Sequence, residues 1–186
     1  LASLARLWKS CQPMANDPQI SIERLRLASI GAKVRARLAA VPGIYRLPTD
    51  RAEIWALGDF LDEEERARLI EMIDKVAKPS TAYDAKYESG YRTSYSGDAD
   101  PDDPFVRRIQ RRIDDLLGME PSHGETIQGQ RYMVGQQFQP HNDWFPYGTP
   151  YWKIEKKRGQ RCFTAMIFLN EVEEGGFFRR LWDSFW

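Results

Sequence analysis

The sequence is poor in cysteine and has no net charge. Its two cysteines, Cys11 and Cys162, are too few for a disulfide framework and favour a reducing compartment, so we expect a cytoplasmic protein. Basic and acidic residues number 27 each, so bulk charge predicts neither a nucleic acid nor an anionic membrane as partner. No apolar run approaches the roughly 20 residues that a membrane-spanning helix needs.

The apolar and aromatic residues that are present fit a folded chain. Hydrophobic residues make up 42% and aromatic residues 12% of the sequence, which excludes a disordered composition. A length of 186 residues is enough to bury the core of one domain. The sequence therefore predicts a single globular domain.

The first part of the chain has helical periodicity. Asp17-Pro18 is typical of a helix start and Pro42-Gly43 of a helix end, and apolar residues recur between them at spacings of three and four: Leu27, Ile30, Val34 and Leu38. The opposite face is basic, with Arg24, Arg26, Lys33, Arg35 and Arg37. We interpret this face as a solvated helix surface, with contact to nucleic acid or a membrane as the alternative.

Two more helices are expected before the period changes. Residues 51–61 indicate a strand entering a turn, and Asp62 with Glu65 then predicts a capping box. This second helix ends before Pro79 and would bury Leu69, Ile70, Ile73 and Ala77. A third helix is predicted from Asp103-Pro104 to Gly118, with a buried stripe of Phe105, Ile109, Ile113 and Leu116.

The later part of the chain has the composition of β-strands. Residues 127–134, 137–143 and 161–169 are β-like runs, which taken together have aromatic and β-branched content. The last of these runs is apolar on both faces, which indicates a strand covered on both sides, with a short buried helix as the alternative. Helices followed by strands predict an α+β fold with an antiparallel sheet.

The tripeptide His141-Asn142-Asp143 is the first feature that points to chemistry. On a strand, residues i and i+2 project to the same side, so the imidazole and the carboxylate would converge on one point. Histidine and carboxylate ligands with open positions suit non-haem iron(II). Taken alone, the same tripeptide is also consistent with a polar pair at a strand end.

The surrounding residues resemble the catalytic domain of prolyl 4-hydroxylases. Residues 130–143, with Tyr132, Gly135-Gln136 and the His-x-Asp tripeptide in this order, resemble the first metal-binding segment of that family. Downstream, residues 159–164 and 168–176 resemble the next two strands and their glutamate-glycine turn. Upstream, residues 58–61 and 91–94 resemble its N-terminal helical part. The resemblance runs from about Val41 to Gly176.

The resemblance implies a double-stranded β-helix, or jelly-roll, on which the N-terminal helices pack. Members of this family are dioxygenases that use iron(II) and 2-oxoglutarate to hydroxylate an unactivated C–H bond, here of a prolyl or other amino-acid-based substrate such as a peptide. Ascorbate (vitamin C) is an additional candidate cofactor. The protein itself positions the reactants and excludes water, because the oxidising power belongs to the metal and cosubstrate.

The resemblance also assigns residues to this site. His141 and Asp143 match two iron ligands, and Tyr132 matches a tyrosine that binds the far carboxylate of 2-oxoglutarate. Arg161 matches an arginine that faces the substrate, with a surface salt bridge as the alternative. The aromatic residues after the ligands, Trp144 to Tyr147, would line the substrate groove or pack on the sheet. His123 matches no ligand position.

The resemblance is lost after Gly175-Gly176. In the family, a distal histidine and a basic residue follow, whereas no residue after Asp143 is a histidine here. We therefore expect a truncation or frame change near Gly176, impaired activity and poor solubility. The expected organisation is a helical extension at residues 1–48, an incomplete dioxygenase domain at 49–176 and an aberrant tail at 177–186.

Two other hypotheses remain open at this point. The chain is alternatively a non-catalytic remnant or interaction module of the same fold. It is also compatible with a homodimer or another subunit that completes the site.

Overall fold

The structure, a computed structural model, describes residues 18–50, 52–80, 90–141, 143–145 and 149–171. Asp17 at the predicted helix start, Cys11, Asn142, the turn at Gly175-Gly176 and the tail at 177–186 lie outside the described residues. The chain divides into two compact units, with one boundary at Gly58/Asp59 and a short excursion at Asp115–Met119. The predicted domain boundaries at residues 48 and 176 stay predictions.

In its described residues, the first unit contains one helix and a two-stranded antiparallel sheet. Helix α1 (Pro18–Ala39) is followed by β1 (Ile44–Arg46) and β2 (Trp55–Leu57), and Ile44 pairs with Leu57. Val34, Leu38 and Leu47 are buried, which confirms the predicted periodicity for the second half of the helix. All five basic residues of the other face are exposed, as expected for a solvated surface.

The second unit begins with the predicted capped helix, α2 (Glu63–Val76). The Asp62 carboxylate accepts a hydrogen bond from the Glu65 amide at 2.8 Å, and Glu65 accepts one from the Asp62 amide at 3.2 Å. This reciprocal arrangement confirms the capping box, which satisfies two amides that the helix cannot pair internally. Helix α3 (Pro104–Leu117) is the predicted third helix.

A three-stranded antiparallel sheet packs against α2. Its strands are β3 (Lys78–Pro79), β4 (Tyr95–Asp98) and β5 (Gln128–Arg131), in the order β3-β4-β5. A short helix, α4 (Pro150–Glu155), follows later in the chain. Among the described residues, the core of this unit is a cluster of seven buried side chains from α2, α3 and the adjoining loops: Leu61, Leu69, Ile73, Ala99, Phe105, Val106 and Ile109.

The structure confirms a mixture of helix and antiparallel sheet, but two of the predicted strands are wrong. In residues 137–143 the described part has only an isolated bridge between Phe138 and Arg92. Residues 161–169 have no regular secondary structure. Two small sheets do not confirm a jelly-roll.

The second error has a physical cause. Residues 161–169 are apolar on both faces, which predicted cover on both sides. Ile167 and Leu169 pack against the core cluster, but Met166 and Phe168 are 59% and 60% exposed. Only one face is therefore covered within the part of the chain that the structure describes.

None of the helices in the described ranges combines the length and hydrophobicity that crossing a bilayer requires.

Candidate metal site

The segment that leads to His141 is attached to residues 91–93 by backbone hydrogen bonds. The Thr93 amide donates to Gln137 O and the Gln139 amide donates to Tyr91 O, each at 2.9 Å. The Gln137 amide donates to the Thr93 hydroxyl, also at 2.9 Å. These bonds align the two segments around the bridge at Phe138, so the position of His141 is set two to four residues before it.

Aromatic stacking then orients the imidazole of His141. Its ring lies 3.7 Å from the Phe138 ring, centroid to centroid, at an interplanar angle of 22°. The Arg92 guanidinium lies 4.5 Å from the centroid of the same Phe138 ring, and Tyr91 meets its edge. Phe138 thus forms a platform on which the imidazole stacks nearly face to face, with a cation beside the same ring.

The hydrogen bonds of His141 leave one ring nitrogen facing a carboxylate. Nδ1 lies 2.8 Å from Gln139 O, and a carbonyl oxygen can only accept, so Nδ1 carries the proton. In the neutral ring Nε2 is then an acceptor, and it lies 3.3 Å from Asp143 Oδ1. Two acceptors facing each other at this distance favour a cation between them, either a proton or a metal ion.

This geometry was tested against what a metal requires. With metal–nitrogen and metal–oxygen bonds of about 2.1 Å, a separation of 3.3 Å corresponds to a ligand–metal–ligand angle of about 100°. His141 and Asp143 therefore fit as neighbouring ligands of one ion. The convergence matches the sequence expectation, although it arises from stacking and a local hydrogen bond and not from strand alternation.

The second oxygen of Asp143 has its own donor. The Thr164 hydroxyl donates to Asp143 Oδ2 at 2.9 Å. Phe145 lies two residues after Asp143. The Gln160 side chain accepts a hydrogen bond from Phe145 N at 2.6 Å and donates one to Phe145 O at 2.9 Å. Both Gln160 and Phe145 are buried, so this pair of bonds joins the ligand segment to the segment that carries Thr164.

Arg161 lies between Glu125 and Phe145. Its guanidinium donates two hydrogen bonds to the Glu125 carboxylate, one of them at 2.6 Å, and stacks 4.5 Å above the Phe145 ring. The bonds to Glu125 raise the pKa of Arg161 above its ordinary value, against the opposing effect of burial. The structure thus contains the salt bridge named as the alternative, and the substrate-binding role stays a prediction.

Tyr132 and His123 are not brought to this pair by any contact described for them. Tyr132 is 45% exposed and its hydroxyl donates to Gln130 at 2.8 Å. His123 Nδ1 is 2.9 Å from Arg158 O. Within the described ranges, no group of three or more histidine, cysteine, aspartate or glutamate side chains could hold a metal. The arrangement there is a pair of candidate ligands, His141 and Asp143.

Sequence reasoning missed the supporting residues Phe138, Gln160 and Thr164. Each of them contacts a residue that local periodicity does not identify. Gln160, for example, bonds to Phe145, which lies 15 positions earlier in the chain. A hydrogen-bond partner can be inferred for a polar residue such as Gln160 only once its burial is known. The one available signal was that these residues lie inside the motif-like segments.

Comparison with known proteins supports the family resemblance. No family model matches the sequence. The chain is 37% identical over 126 residues to "Probable prolyl 4-hydroxylase 10" of Arabidopsis thaliana, which covers 63% of this chain and 41% of that protein. It is 33% identical over 138 residues to "Prolyl 4-hydroxylase subunit alpha-1" of Rattus norvegicus, covering 68% and 25% respectively. The chain thus spans 41% and 25% of the length of these two relatives.

Proposed function

We propose, because this chain belongs to a prolyl 4-hydroxylase-like family, that it forms part of an iron(II)- and 2-oxoglutarate-dependent dioxygenase acting on a prolyl or other amino-acid-based substrate, such as a peptide. The observation that carries the proposal is the pair His141 Nε2 and Asp143 Oδ1, 3.3 Å apart with Nδ1 engaged by Gln139 O. When bound, iron(II) and 2-oxoglutarate would supply the oxidising chemistry for C–H hydroxylation.

The residues of this chain have four tasks in this proposal. His141 and Asp143 hold the metal, and the Phe138 platform fixes the plane of the imidazole. Tyr132 binds the far carboxylate of 2-oxoglutarate, and Arg161 faces the substrate. The exposure of Tyr132 and the partly exposed guanidinium of Arg161 leave both polar ends within reach of a small molecule or peptide.

Further parts of the proposal follow from the family alone. They are a jelly-roll architecture for the catalytic domain and ascorbate as an additional cofactor. A cytoplasmic location is proposed separately, from the low cysteine count. A homodimer is the proposed assembly if a second copy completes the ligand set.

Anaerobic titration with iron(II) tests the metal site. We expect His141→Ala and Asp143→Asn each to weaken binding by about tenfold or more, because each removes one of the two ligands. His123→Ala is the matched control, since it removes the other histidine, whose Nδ1 contacts Arg158 O instead. Equal affinity in the wild type and both ligand variants would contradict the proposal.

The dioxygenase activity is tested separately, by succinate release from 2-oxoglutarate in the presence of a proline-containing peptide. Turnover that is lost in Asp143→Asn and kept in His123→Ala is the expected result. Metal binding at His141 and Asp143 without turnover would favour the alternative, a non-catalytic interaction module of the same fold. A turnover rate per protein molecule that rises with protein concentration would favour a homodimer that completes the site.

A further inference from the structure

We propose that Thr164 is a positioning residue of the metal site: its hydroxyl holds Asp143 Oδ2 and so directs Asp143 Oδ1 to the point that His141 Nε2 faces. This inference rests on the proposed metal-binding function of His141 and Asp143. It assigns a role to a hydroxyl 21 residues away from the carboxylate in the chain.

The two oxygens of Asp143 are in different surroundings. Oδ1 lies 3.3 Å from His141 Nε2, whereas Oδ2 accepts the Thr164 hydroxyl at 2.9 Å. The terminal torsion of an aspartate is broad, so a carboxylate that is 45% exposed rotates easily unless a donor holds it. A hydrogen bond to an ionised carboxylate is stronger than a neutral one, which suits this purpose.

Thr164 is itself held from both sides. Before it, Gln160 is bonded to Phe145 N and O, and the Arg161 amide donates to the same Gln160 oxygen at 3.2 Å. After it, Ile167 and Leu169 pack against the core cluster. The β-branched threonine side chain adds a restricted first torsion. The hydroxyl therefore has a defined position from which to direct the carboxylate.

A positively charged competitor for Asp143 is engaged elsewhere. Arg161 interacts electrostatically with Asp143, but two of its nitrogens bond to Glu125. A salt bridge between Arg161 and Asp143 would place a positive charge where the metal binds. Glu125 keeps the guanidinium away, and the neutral Thr164 hydroxyl can orient the carboxylate without neutralising it.

The test is metal affinity in variants that separate the hydroxyl from the packing. Thr164→Val keeps the shape of the side chain and removes the hydroxyl, and Thr164→Ser keeps the hydroxyl. We expect Thr164→Val to bind iron(II) about tenfold more weakly in anaerobic titration, as is typical when a group that orients a ligand is lost. Thr164→Ser should retain wild-type affinity.

A structural control and a double-mutant cycle make the test specific. Thr149 caps helix α4 by accepting from Trp152 N at 3.4 Å, so Thr149→Val should alter stability and leave iron(II) affinity unchanged. In an Asp143→Asn background, Thr164→Val should have no further effect on affinity, because Thr164 acts through the carboxylate. The visible spectrum of bound cobalt(II) should change in Thr164→Val and not in Thr164→Ser.

Three outcomes would overturn the inference. Wild-type affinity in Thr164→Val removes Thr164 from the site while a loss in His141→Ala still supports the proposed function. An equal loss in the wild-type and Asp143→Asn backgrounds shows that the hydroxyl acts elsewhere. If His141→Ala and Asp143→Asn bind iron(II) as the wild type does, the proposed function and the inference fail together.

Discussion

Asp103 illustrates how a single side chain begins an element of this molecule. Its carboxylate accepts from Phe105 N at 2.6 Å and from Val106 N at 3.4 Å, at the start of α3. These are amides that the helix cannot pair internally. The bond from Phe105 lowers the pKa of Asp103 below its ordinary value of 3.8, and Arg68 adds to the effect.

A lowered pKa makes the stability contributed by Asp103 depend on pH. The folded state holds the proton less tightly than the unfolded state, so the contribution is present above pH 3.8 and is lost as pH falls through the folded pKa. Asp103→Asn keeps a capping side chain and does not titrate. We expect the wild type to lose free energy of unfolding relative to Asp103→Asn as the pH falls from about 7 to about 3. Urea unfolding of both proteins measures this difference. A difference that is constant with pH would contradict this assignment.

Residue-scale features were predictable where the partner is close in sequence. Asp62 and Glu65 are three residues apart, so the spacing itself predicts their reciprocal hydrogen bonds. The convergence of His141 and Asp143 was expected from strand alternation, but in the structure it arises from stacking on Phe138 and a local hydrogen bond. The Thr164 bond to Asp143 and the Phe138 platform depend on how distant segments pack and on ring orientation, which no spacing encodes.

At the scale of elements, a pair of glycines allows α2 to pack on the sheet. Gly97 of β4 pairs with Gly129 of β5. A Cβ on Gly97 would lie 2.7 Å from the Val76 side chain, and one on Gly129 would overlap Ile73. The helix therefore approaches the sheet where side chains are missing. The periodicity of α2 predicted which of its faces is buried, but not this point of closest approach.

The Gln160 side chain connects two segments that lack regular secondary structure. It satisfies both the N–H and the C=O of Phe145, and both residues are buried. Gln160→Ala removes both of these buried hydrogen bonds, so we expect a loss of about 2 to 4 kcal/mol in the free energy of unfolding. Urea denaturation measures the loss, and hydrogen exchange should show faster exchange of the Phe145 amide.

Gln136→Ala is the matched control for this experiment. Its side chain accepts from Met133 N at 2.8 Å in an exposed turn, where water can replace the lost acceptor. We expect a loss below about 1 kcal/mol. If the two variants lose equal stability, the buried bonds of Gln160 contribute no more to the free energy of unfolding than the exposed bond of Gln136. The connection between the two segments would then be weaker than its geometry indicates.

Element-scale prediction failed where a strand depends on its neighbours. Composition predicted strands at 137–143 and 161–169, because aromatic and β-branched residues favour pleated surfaces. A strand also needs a paired neighbour, and such pairing is not encoded in the run itself. Helices α2 and α3 were predicted well because their hydrogen bonds are internal to the segment.

At the scale of the whole molecule, one core supports the unit that contains the metal pair. Ile167 and Leu169 pack against the same cluster that joins α2 and α3. The segment that carries Gln160 and Thr164 is therefore attached to the core through residues that follow Thr164 in the chain. Loss of core packing should loosen both the fold and the placement of the Thr164 hydroxyl.

Ile109 is the sharpest test of that core, because its side chain is 0% exposed. Ile109→Ala should lower the free energy of unfolding by about 3 to 4 kcal/mol, and Ile109→Val by about 1 kcal/mol, since both the transfer free energy and the cavity grow with the atoms removed. Ile154, which is 67% exposed, offers the same chemical change outside the core. Ile154→Ala should cost less than about 0.5 kcal/mol. Equal losses for Ile109→Ala and Ile154→Ala in urea unfolding would show that this cluster does not stabilise the unit. The cluster would then not support residues 160–164 either.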